Sequence, residues 1–140
     1  MFRFRLASIL RLKEYKEHLC RDEVGKCLYN LYLAQNRENE IIQMLNKADE
    51  ELKCLQEGVV NLQEIAIAWN YRKRLKKELT RQQAVVAEKQ KELDEARGAL
   101  LEAMKEKKVL EKLREKKRRD YLYEEDKKEQ SLLDELAGCR

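Results

Sequence analysis

The residues of this chain with chemistry to offer are few and scattered. Cysteines stand at Cys20, Cys27, Cys54 and Cys139, and the single histidine is His18. None of the cysteines has CxxC spacing, and one histidine leaves no His/Cys cluster for a metal ion. Cys20 and Cys27 fall two helical turns apart on one face, about 10 Å, too far for a disulfide within one helix. All four are read as buried or incidental thiols. There is no glycine-rich phosphate loop and no HExxH. Carboxylates abound, but they sit among lysines at i+3 and i+4, where solvated ion pairs are the usual outcome. The reading is therefore no enzyme, with neither cofactor nor metal, and what remains to do work is surface.

Two kinds of surface stand out. Lys112, Arg114, Lys116, Lys117, Arg118 and Arg119 form a basic run, and Arg3, Arg5, Arg11, Lys13 and Lys16 gather near the start. Phosphate contacts need only such groups. However, Glu111, Glu115 and Asp120 interrupt the run, and no interleaved aromatics suggest base stacking. The net charge is +4 against 31 basic and 27 acidic residues, a salt-laced surface rather than a dedicated polyanion binder. The second kind is aromatic. Trp69 and Tyr71 either pack over a nearby loop or anchor a partner. Tyr29, Tyr32 and Leu33 hint at a partner or at self-association.

The elements that position these residues are helices. The chain has 140 residues, 41% of them charged and 6% aromatic, with four glycines and no proline, the composition of a coiled coil. Gly58 to Tyr71, GVVNLQEIAIAWNY, carries one charge, Glu64, a glycine, two asparagines and the β-branched Val59, Val60, Ile65 and Ile67. Helix-forming power falls there, so the chain is expected to turn. On one side a heptad register runs from Leu6 to Leu62. Its seam is Leu6, Leu10, Cys20, Val24, Cys27, Leu31, Ala34, Ile41, Leu45, Ala48, Leu52, Leu55, Val59 and Leu62, broken only by Lys13, Glu17 and Glu38. On the other side Leu75, Leu79, Gln82, Val86, Lys89, Leu93, Ala96, Leu100, Ala103, Lys107 and Leu110 repeat it with a wetter seam. The expected fold is all-α, a long antiparallel two-helix coiled-coil hairpin over residues 1–140. Its first arm is about 3–57, the bend about 58–66 and the second arm about 67–137.

Opposed residue numbers add to 127 in one register and to 120 in another. The first is preferred, because it sets Glu38 against Lys89, Ala48 against Leu79 and Ala34 against Leu93. The second sets Lys13 against Lys107, a like-charge layer. In the preferred register, residues beyond about 125 overhang the first arm. No stretch approaches the roughly 20 apolar residues of a membrane span, and MFRFRLASILRL holds no apolar run of signal-peptide length. A cytoplasmic protein without direct membrane insertion is expected.

The two ends carry more than heptads. Phe2-Arg3-Phe4-Arg5-Leu6, then Ile9-Leu10, Lys13-Glu14 and Glu17, resembles the start of the FliJ family of flagellar type III export proteins. Leu110-Glu111-Lys112-Leu113, Tyr121, Glu129-Gln130 and Asp134-Glu135 resemble that family's C-terminal pattern. The resemblance implies a non-enzymatic stalk-like hairpin whose open end inserts into the hexameric ring of the export ATPase FliI and promotes its assembly and activity. It also implies contact with the cytoplasmic domain of the export gate protein FlhA toward the bend, and escort of export chaperones. The location implied is peripheral, at the cytoplasmic face of the inner membrane at the flagellar base. For the ring, Phe2, Phe4 and Tyr121 would supply apolar contacts, and Arg11, Arg114, Lys117 and Arg118 charge. For the gate, the candidates are Trp69, Tyr71 and Leu75. Glu129, Gln130, Asp134 and Glu135 match the C-terminal motif without a derivable role. Rival readings are a generic coiled-coil scaffold or homo-oligomer, a nucleic-acid-binding hairpin, and the equivalent stalk of a virulence-type secretion system.

Overall fold

The structure is a computed structural model and describes residues 2–138. It consists of two helices, α1 (Ala7–Leu55) and α2 (Leu62–Gly138), with no strand among the described residues. The fold is an all-α helical hairpin. It divides into two compact units: Asp22–Arg97, which contains the bend, and Met1–Arg21 with Gly98–Arg140. We call them the bend unit and the terminal unit. Each packs a stretch of α1 antiparallel to a stretch of α2. Cys139 lies outside the described residues.

In the bend unit, apolar residues at 3-4 spacing meet as the heptads require. Cys27, Leu31, Leu93 and Ala96 form a buried cluster, with Val24 and Val86 packed against it. Ala34, Ile41, Ala48, Leu52 and Leu75 continue the core. The wet layers are satisfied locally. Gln82 Nε2 donates to the Ala34 carbonyl at 3.0 Å. Lys89 turns to Glu92 on its own helix at 3.5 Å. The expected Glu38–Lys89 layer is therefore not formed. Arg37 reaches Glu78 at 2.7 Å, and Arg72 pairs with Asp49. The cluster that joins Cys27 and Val24 to Leu93 and Ala96, numbers that add to 120, and the Arg72–Asp49 pair, at 121, fit the 120 register, one heptad away from the preferred 127.

α1 stops because Gly58 takes the left-handed conformation, φ 82°, that L residues with a Cβ avoid. The Gln56 and Glu57 amides donate back to Leu52 and Cys54 as the helix unwinds. α2 restarts at Leu62, earlier than the 67 expected. Asn61 caps it: its Oδ1 accepts from the Gln63 amide at 3.0 Å and its carbonyl from the Ile65 amide at 3.1 Å. Glu64 in the first turn suits the helix N-terminus. The β-branched Ile65 and Ile67 lower helix propensity only weakly, and a cap with half-buried Ile65 and Ala68 overrides them. The seam ends at Leu55; Val59 and Leu62, assigned to it by register, are exposed.

In the terminal unit, Leu10 and Ala103 are buried, and Cys20, Leu100, Leu110 and Leu113 are half-buried. The core also holds a carboxylate, Glu17, 5% exposed. Lys107 Nζ lies 2.7 Å from its Oε2, and Arg21 Nη2 lies 2.6 Å from its Oε1. Lys13 and Lys16 share Glu106 at 3.0 and 3.1 Å. The like-charge objection to the 120 register thus fails for a physical reason: Lys107 reaches Glu17, one turn along α1 from Lys13, and Lys13 reaches Glu106, the residue next to Lys107. α1 begins at Ala7, not near residue 3, and residues 122–138 of α2 are exposed throughout. The unpaired stretch starts just after Tyr121, earlier than expected, as the register shift requires.

Candidate functional site

The sequence Phe2-Arg3-Phe4-Arg5-Leu6 precedes the first helix and alternates in burial. Phe2, Phe4 and Leu6 are half-buried, while Arg3 and Arg5 are exposed. Side chains of an extended segment point to opposite faces in turn, so this period of two lays the apolar residues on α2 and leaves the arginines in water. The segment joins α1 through the Ala7 amide, which donates to the Phe4 carbonyl at 3.1 Å.

Against α2 it forms a groove of about 590 Å³ lined by Phe2, Arg3, Phe4, Arg5, Leu6, Leu113, Lys117 and Tyr121. The Phe2 and Tyr121 rings meet at 5.7 Å between centroids and 45° between planes. That is a tilted aromatic contact of a favourable kind. Arg3, Arg5 and Lys117, with Arg114 one turn back, have no ion-pair partner among the described residues. The groove therefore combines an apolar floor with uncompensated cations. Such a surface accepts an apolar side chain flanked by carboxylates.

Of the residues expected at an ATPase ring, Phe2, Phe4, Lys117 and Tyr121 come together in this groove. Arg11, Arg114 and Arg118 are exposed outside its lining, and Arg118 lies 3.9 Å from Glu115 on its own helix. Leu6, Leu113, Arg3 and Arg5 complete the groove and were not singled out as site residues. The signal was present in the FRFRL alternation. Glu129, Gln130, Asp134 and Glu135 all lie in the exposed stretch of α2.

Below this groove the Glu17 carboxyl is held below the usual range, first by its hydrogen bond from Lys107 and then by that from Arg21. Lys107 is raised for the same reason. Glu106 is lowered by Lys13 first and Lys16 second. By heptad position Glu17 and Lys107 are interruptions of the two seams. That they answer each other follows from the register.

The bend unit presents a different surface. Trp69 is 50% and Tyr71 42% exposed. The Arg72 guanidinium sits 5.4 Å from the Trp69 ring centroid while pairing with Asp49, which fixes the indole from one side. Tyr71 borders a shallow groove with Glu51, Leu55, Glu64, Ile67 and Ala68. Leu75, proposed with these two as a contact residue, is 4% exposed. It belongs to the core, so its side chain is not offered to a partner. Cys27 is buried and Cys20 half-buried; Cys54 is exposed. Burial, and next Glu23, whose Oε1 accepts from Sγ at 3.8 Å, push the Cys27 thiol up. This keeps the thiol protonated and inert. No helix among the described residues is long and apolar enough to cross a membrane.

Heptad seams and ion-paired wet layers define a coiled-coil helical hairpin with two unlike exposed surfaces. The chain belongs to the flagellar FliJ protein family, whose model matches residues 1–140. It is accordingly a component of flagellar, type III protein export. Among solved structures it is similar to a YscO homolog, CT670, from Chlamydia trachomatis. The TM-score is 0.62 at 21% identity, over 98% of this chain and 93% of that one, a likeness of fold. None of the curated protein sequences matches it.

Proposed function

We propose that this protein is the non-enzymatic stalk of the flagellar export ATPase. Its grooved terminal unit enters the hexameric FliI ring and promotes ring assembly and turnover. Its bend unit meets the cytoplasmic domain of FlhA through Trp69 and Tyr71, so that ring and gate are coupled through one chain. Escort of export chaperones belongs to the same role, and the working location is the cytoplasmic face of the inner membrane at the flagellar base. The observation that carries this reading is the groove of Phe2, Phe4, Leu6, Leu113 and Tyr121 rimmed by Arg3, Arg5 and Lys117. Apolar contact there supplies affinity, and the unpaired cations supply attraction to an acidic axial surface.

Co-assembly tests it. Purified chain and FliI, with a non-hydrolysable ATP analogue, are expected to migrate as one ring-sized species. Reversing Arg114, Lys117 and Arg118 to Glu should weaken this at least tenfold, with steep salt dependence in the parent. Failure of the parent chain to join the ring at low salt would refute the stalk role.

A further inference from the structure

The exposed stretch of α2 and the groove of the terminal unit are opposite in charge. Residues 122–138 carry six carboxylates against two lysines, with Leu132, Leu133 and Leu136 among them. The groove is apolar and rimmed by Arg3, Arg5 and Lys117. Leu132 and Leu136, with Asp134 and Glu135 between them, make an apolar segment flanked by carboxylates, the chemistry that the groove accepts. The segment cannot return to its own groove, because α2 is one helix from the groove wall at Leu113 through to Gly138. The same segment of a second copy is under no such constraint.

The groove wall continues along the exposed stretch. Lys117, Tyr121, Glu124, Lys128, Leu132 and Glu135 recur at 4-3-4-4-3 spacing, one face of α2. The four charged residues on it make no ion pair among the described residues. Set antiparallel on a copy so that opposed numbers add to about 252, this face meets itself with opposite charges. Lys117 lies opposite Glu135, Glu124 opposite Lys128, and Leu132 beside Tyr121. The charges select that register. One heptad either way, the same face opposes Lys117 to Lys128 or Glu124 to Glu135, and like charges so placed repel. The contact is isologous, so the tip of each copy reaches the groove of the other and the assembly closes at two.

We infer that this chain self-associates through its terminal unit, the acidic tip of α2 in each copy, Leu132 to Leu136, docking in the Phe2–Tyr121 groove of the other. Glu135, which matched a C-terminal motif without a role, becomes the partner of Lys117. The overlap from 117 to 135 is about 27 Å of helix, and its ion pairs lie at the surface. The dimer is therefore weak and loosens with salt. It covers the groove, so self-association and ring entry exclude each other. That consequence rests on the stalk reading; the dimer itself does not.

Sedimentation equilibrium of the whole chain at low salt, from about 10 µM to about 1 mM, tests this. The weight-average mass should rise from 16.8 kDa toward twice that value. Lys117→Glu alone and Glu135→Lys alone should each weaken association at least tenfold, with helicity unchanged by circular dichroism. Mixed in equal amounts, the two variants should recover the association of the parent. In the mixed dimer both contacts between positions 117 and 135 are again of opposite charge. A chain monomeric at every concentration overturns the inference. So does a dimer indifferent to both substitutions, or a mixture that associates no better than its components. No other protein enters the measurement, so its failure leaves the stalk reading standing.

Discussion

At the scale of single residues, the sharpest feature is a carboxylate in the core. Glu17 persists there because Lys107 and Arg21 supply charge-assisted hydrogen bonds to both its oxygens. Its pKa is lowered, so its contribution to stability is fully present above the unfolded value of about 4.3 and is lost as pH falls through the lower folded value. Lys107, raised, contributes the same contact from the other side: present below about 10.4 and lost as pH rises through its folded value. Thermal melts of Glu17→Gln should therefore show a deficit against the parent across neutral pH that shrinks in acid below about pH 4. A deficit constant down to pH 2 would mean that packing, not charge, is at stake. The glycines give a second residue-scale prediction. Gly58→Ala forces a Cβ into φ 82° and should cost about 1–2 kcal/mol. Gly25→Ala, in an ordinary exposed helix, should gain up to about 1 kcal/mol. Urea midpoints of the two variants are expected to move in opposite directions.

At the scale of elements, the heptads were legible and their pairing was not. Every seam position from Leu75 to Leu110 is buried or half-buried, as are those from Leu6 to Leu55. Period alone determines which face is wet. Register depends instead on how long side chains bend. Weighed as flat layers, Lys13 opposite Lys107 looks repulsive. In three dimensions Glu106, beside Lys107, receives Lys13, and Glu17, one turn from Lys13, receives Lys107. The bend shows the same limit. Gly58 was readable as a breaker, but Asn61 counted as a turn residue when it is the cap that starts α2. The groove was half legible: Phe2, Phe4 and Tyr121 were chosen for their type, while Leu113 joins only through packing. Crosslinking distinguishes the registers. In a chain without native cysteines, Ile41→Cys with Leu79→Cys should oxidise readily, and Ala48→Cys with Leu79→Cys should not. The reverse pattern would restore the register that pairs Glu38 with Lys89.

At the scale of the whole molecule, the surfaces are unlike in kind. One unit carries an apolar groove rimmed by cations without an ion-pair partner among the described residues; the other carries a cation-braced Trp69 and an exposed Tyr71, with Tyr29 and Tyr32 exposed on α1. These surfaces share no residue, so they can be changed one at a time. Trp69→Ala with Tyr71→Ala should leave ring assembly intact while weakening capture by the FlhA cytoplasmic domain at least tenfold, measured by biolayer interferometry. The central claim is tested most directly by ATP hydrolysis. With FliI near its assembly threshold, this chain should raise turnover several-fold, and the variant reversing Arg114, Lys117 and Arg118 to Glu should not. Turnover that the chain leaves unchanged would contradict the stalk account.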